Sequence, residues 1–80
     1  MEESEIKSLS QVRNGQRARL VRVNAGHGLN GRLAAMGLVR GVAITVVRNE
    51  HPGPFIVSVK GTRVMLGRGM AHKILVYEED

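Results

Sequence analysis

The sequence predicts an all-β fold, a small barrel of about five short strands with one short helix between the first two. Three observations carry this expectation. Ten glycines in 80 residues cut the chain into short segments. Most of those segments are rich in Val, Ile and Leu and alternate in the manner of half-buried strands. One window alone, 29–36, changes to a helical period.

Residues 8–15 read as an irregular turn, with Asn14-Gly15 its clearest signal. Residues 17–24 (RARLVRVN) form the first expected strand. Leu29, Leu33 and Met36 then fall at i, i+4 and i+7, on one face of a helix of about two turns. Gly37 stands where a left-handed helix terminator belongs. Residues 42–48 (VAITVVR) form a strand with Val42, Ile44 and Val46 on one side. Two prolines and a glycine make 49–54 a loop. Residues 55–60 and 62–66 are strands joined at Gly61. Residues 67–73 read as a single helical turn, and 74–77 (ILVY) as the last strand.

The chain is expected to be one domain, residues 1–80, with acidic tails at about 1–5 and 78–80. Without cysteine it has neither a disulfide framework nor a thiolate zinc site. No run approaches the roughly 20 apolar residues of a membrane-spanning helix, and the polar start lacks a signal-peptide core. The expected compartment is the cytoplasm.

The net charge is +5, but six of the seven acids lie at the two ends. Between Ile6 and Tyr77 stand all twelve Lys and Arg and one acid, Glu50, which leaves +11 for the body. Such a field attracts acidic protein faces, anionic membrane or nucleic acid. Paired carboxylates and a cysteine nucleophile are missing, so no catalytic residue is assigned. His27, His51 and His72 show no ligand spacing and have one nearby carboxylate, Glu50, so no metal or cofactor site is assigned. Phe55 and Tyr77 are the only aromatics, too few for a proline-rich-peptide groove or for base stacking.

The stretch 28–41 (GLNGRLAAMGLVRG) resembles the signature of the ferrous iron transport protein A (FeoA) family, in which a short helix opens with Arg-Leu and ends in Met-Gly-Leu. Gly53-Pro54 before a strand, Gly61-Thr62-Arg63 at a hairpin, and Leu66-Gly67 with Ala71 before Ile74-Leu75-Val76 follow in the family's order, so the resemblance spans about 9–76. It implies an SH3-like barrel. It also implies a non-enzymatic cytoplasmic accessory of bacterial ferrous iron uptake, which docks on FeoB, a membrane transporter with a GTP-binding domain. The barrel is similar as well to the C-terminal domain of iron-dependent repressors. Those carry a helix-turn-helix domain for which this chain has no room, so a free-standing module is expected.

The expected partner contacts are Leu29, Arg32, Met36 and Leu38, with Arg17 and Arg19 as steering charges toward an acidic face of the transporter or the membrane beside it. The alternative is a basic small-barrel RNA-binding protein. Arg17, Arg19 and Arg22, joined by Arg48, Lys60, Arg63 and Arg68, would then hold phosphates.

Overall fold

Alternation of side chains across the pleat sorts this chain into an inner and an outer set. The computed structural model, which describes residues 5–79, shows the result. Glu2, Glu3, Asp80 and the His27 side chain lie outside the described residues. The strands are β1 (Ile6–Ser8), β2 (Arg17–Val23), β3 (Ala43–Asn49), β4 (Phe55–Val59), β5 (Thr62–Leu66) and β6 (Ile74–Glu79). Helix α1 (His27–Ala35) joins β2 to β3, and α2 (Arg68–Lys73) joins β5 to β6. All neighbours are antiparallel in one sheet, in the order β1-β6-β2-β3-β4-β5.

The inward residues are Ala18 and Leu20 of β2, Ile44 and Val46 of β3, Phe55, Val57 and Val59 of β4, Leu66 of β5, and Ile74 and Val76 of β6, all buried. Register breaks at Val21 in β2 and Val47 in β3 bend the sheet, so that its inner face wraps around this core. Chain connections use conformations that the sequence favours. Lys60 and Gly61 both have positive φ (51° and 80°), the two-residue turn whose twist matches a hairpin.

The described residues form six strands where about five are expected, and the helix lies between the second and third. The extra strand is β1, which pairs with β6 across nearly the whole chain length. Ser8 ends it by capping a 3-10 turn (Leu9–Gln11), and its hydroxyl donates to the His72 carbonyl of α2 at 3.0 Å. Leu9 and Val12 are fully buried, so the segment expected to be an irregular turn closes one side of the core. The last strand also runs further than expected. Glu78 and Glu79 belong to β6 and not to a tail, with Glu78 opposite Ala18 and Glu79 opposite Arg17.

Helix α1 is poorly equipped by its own sequence. Gly26 offers no side-chain cap, no acid complements the first turn, and Gly28 and Gly31 lie inside it. Its C-terminus is better made. Gly37 has φ 91°; its N–H donates to the Ala34 carbonyl and that of Leu38 to the Leu33 carbonyl, both at 2.9 Å. This is a Schellman closure, accompanied by burial of Leu33 and Leu38 in the same core. A methyl group on Gly31 would meet nothing within 4 Å, and its φ is not positive. Gly31→Ala is therefore expected to stabilise the protein by about 1 kcal/mol, a rise in melting temperature of roughly 4–8 °C by circular dichroism.

Candidate functional site

The connection between β2 and β3 lifts α1 away from the sheet and leaves a groove beneath it. Leu20, Val21, Arg22 and Val23 of β2 form one wall, Asn30 and Ala34 of α1 the other, and Leu38, Val39 and Arg40 close the end. The space is about 330 Å³ and open to solvent. That is the low end for small-molecule pockets, and it suits one or two inserted side chains better than an enclosed ligand. Asn30 holds the helix start in place by donating from Nδ2 to the Ala25 carbonyl at 2.8 Å.

The electrostatics of the rim follow from the absence of any acid between Glu5 and Glu50. Arg22, Arg32 and Arg40 are exposed, and no described carboxylate lies within ion-pair distance of them. Arg40 Nε makes one long contact, 3.4 Å, to the Val21 carbonyl. Val39, at the end of the groove, is 42% exposed, and Met36 on the helix C-cap is 41% exposed.

The expected contact residues fall into three places. Arg32 and Met36 are exposed on α1 and its C-cap, but neither lines the groove, whose helical wall is Asn30 and Ala34. Leu29 is half-buried against the core. Leu38 is 2% exposed and belongs to the core, which corrects its expected place as an exposed contact and leaves it only a buried part of the groove wall. The physical reason is the left-handed turn at Gly37, which returns Leu38 beneath the helix and leaves Met36 outside. Leu33 alone of the expected apolar helix face is deeply buried, at 1%.

Arg17 and Arg19 share the outer face of β2, as period two requires, but neither lines the groove. Strand rise places Arg17 roughly 16 Å from Arg22. Both converge on Glu79. Arg19 Nε donates to its two carboxylate oxygens at 3.1 and 3.0 Å, Arg19 Nη1 donates to the Gly41 carbonyl at 2.9 Å, and Arg17 Nε stands 3.9 Å from Glu79. Lys7 pairs with Glu78 at 3.2 Å. These half-exposed pairs contribute little stability, but they neutralise part of the body's charge on that face. Of the cations without an ion-pair partner among the described residues, Arg22 and Arg40 line the groove, and Arg13, Arg32, Lys60, Arg63, Arg68 and Lys73 stand elsewhere on the surface. Val39 and Arg40 were not singled out by pattern; only the acid-free window could have pointed to them.

Glu50 accepts from Asn14 Nδ2 at 3.1 Å and lies 3.8 Å from Arg48. Among the described residues no three His, Asp or Glu side chains gather as metal ligands. Nor is any described helix long and apolar enough to cross a membrane.

The FeoA domain family matches residues 7–78. This chain belongs to the FeoA family. A protein of Methanocaldococcus jannaschii described as an Fe(2+) transport protein A is 36% identical over 72 residues, covering 90% of this chain and 87% of that one. Among solved structures, a crystal structure of an iron uptake regulatory protein (FeoA) superposes with TM-score 0.83 at 29% identity, covering 94% of this chain and 99% of that one. FeoA of Chlorobium tepidum superposes with TM-score 0.80 at 33% identity, covering 89% and 69%. A manganese-dependent transcriptional repressor, at 20% identity and TM-score 0.84, shares the fold over 45% of its length. The SH3-like barrel and the association with Fe(2+) transport are therefore properties of the family to which this chain belongs, a family of small transport-associated domains.

Proposed function

We propose that this FeoA protein is a non-enzymatic cytoplasmic accessory of ferrous iron uptake, which docks on the GTP-binding part of a FeoB-like transporter through the α1–β2 groove and modulates it. Iron is the cargo of the system and not a resident cofactor of this chain. The observation that carries the reading is the open apolar groove with Arg22 and Arg40 on its rim and exposed Val39 at its end. A partner segment with an apolar side chain flanked by acids fits that surface. The apolar contact sets residence time, and the charges set encounter rate and orientation. An anionic membrane beside the transporter would add to the same steering field.

The RNA-binding alternative lacks a stacking platform, because Phe55 is fully buried and Tyr77 half-buried. It also loses Arg19, which Glu79 holds.

The test is binding to the cytoplasmic part of FeoB by calorimetry, without nucleotide and with GDP or a non-hydrolysable GTP analogue. The double variant Arg22→Glu, Arg40→Glu is expected to keep its melting temperature within a few degrees, since both side chains are exposed. It should bind about tenfold or more weakly, with the largest loss in association rate at low salt. Absence of binding in every nucleotide state, together with tight salt-sensitive RNA binding, would reverse the order of the two readings.

A further inference from the structure

The sheet ends at β5, which pairs with β4 alone. The other edge strand, β1, has three residues and is turned off at once by the capped 3-10 turn. β5 has five residues and contains neither proline nor bulge. The tight turn at Lys60-Gly61 makes Val59 and Thr62 a hydrogen-bonded pair. Alternation then makes Val57–Val64 and Phe55–Leu66 hydrogen-bonded pairs as well. The N–H and C=O groups of Arg63 and Met65 therefore point away from β4, along the open edge. Among the described residues no other segment hydrogen-bonds to them.

The side chains on this edge are equally available. Met65 is 69% exposed, the most exposed large apolar residue described, and Lys60 and Arg63 are exposed without an ion-pair partner among the described residues. The chain has no acid between Glu50 and Glu78. At the Leu66 end lies a shallow hollow of about 360 Å³, lined by Pro54, Phe55, Met65, Leu66 and Arg68. The Arg68 guanidinium is fixed there, 5.7 Å from the centre of the Phe55 ring.

We propose that the β5 edge is a second docking surface, which accepts an extended acidic segment of another polypeptide as an added strand. The backbone groups of Arg63 and Met65 would pair with it. Residues of the added strand beside Arg63 would be acidic, and those beside Met65 and the hollow apolar. A second copy of this chain is the poorer occupant. Its own β5 would bring Lys60 and Arg63 into the same cationic edge, and like charges across strands repel.

The probe is a short synthetic extended peptide with a glutamate and a valine two residues apart, on the face that meets Arg63 and Met65, added to the full chain and followed by amide NMR and hydrogen exchange. The Arg63 and Met65 amides are expected to shift and become protected, while groove amides stay unchanged. Met65→Pro removes one outward donor without touching the β4 ladder, and should abolish binding. Met65→Thr keeps the donor and should retain binding. Arg63→Glu should weaken the glutamate peptide roughly tenfold and favour a valine–lysine counterpart. Persisting protection of β4 amides shows that a variant is folded. Equal binding of a peptide with the same composition in two blocks would overturn the proposal. So would shifts confined to the groove, or concentration-dependent protection of Arg63 and Met65 without peptide.

Discussion

Leu33→Asp is expected to leave the protein largely unfolded at room temperature. Leu33 is 1% exposed and, among the described side chains of α1, the one sunk fully into the core. Truncating such a leucine costs about 2–5 kcal/mol. A buried carboxylate adds a desolvation penalty, for among the described residues no cationic side chain is buried. A domain of this size has roughly 4–12 kcal/mol in total. The loss should appear as a fall in melting temperature of about 15 °C or more, or as the absence of a cooperative transition. Met36→Asp is the matched control. Met36 is three residues away but 41% exposed, and its substitution should change stability by about 0.5 kcal/mol or less. A Leu33→Asp protein that melts normally would remove α1 from the core.

Asn49→Ala is expected to have the second largest effect, because one side chain ties three segments together. Asn49 Nδ2 donates to the Ser10 and Val12 carbonyls at 3.0 and 2.7 Å, and its Oδ1 accepts from Arg68 Nη1 at 2.8 Å. The N-terminal segment, β3 and the start of α2 meet at this amide. Alanine deletes all three bonds and leaves two part-buried carbonyls unpaired, at a cost of about 2–3 kcal/mol. The melting temperature should fall by roughly 10–20 °C. Asn49→Asp separates the roles. It keeps and strengthens the Arg68 contact, but turns an oxygen toward two carbonyl oxygens, so it should not restore stability. A fully stable Asn49→Asp protein would show that Arg68 alone needs this residue.

Much of the fold is legible in the sequence because its signals are local. Ile44 and Val46 alternate with half-buried neighbours, as do Phe55, Val57 and Val59, and each set lies on the inner face. Gly37 and Gly61 adopt the positive φ that their positions demand. The helix begins and ends close to its expected bounds. What escaped is long-range. β1 is three residues with no alternation to read, and it exists only because β6 offers it an edge. Asn49 looks like the first residue of a loop, and its partners are up to 39 residues away.

The candidate site was legible only in part. Arg32 is exposed beside the apolar face, as the helical period predicts, but Met36, which that period sets with Leu33, is exposed, and Leu38, past the end of the period at Gly37, is covered. Arg17 and Arg19 are on the outer face as expected, yet the last strand supplies Glu79 against them.

Residue pattern alone determined the strand and helix types, the turn positions, the aliphatic core and the excess of positive charge, since each depends on neighbours within a few residues. Which cations remain unpaired, which leucine is covered and which strand keeps a bare edge were decided by the tertiary fold. Pairing, burial and closure depend on segments that meet only after the chain has folded, and local sequence does not record who those neighbours are.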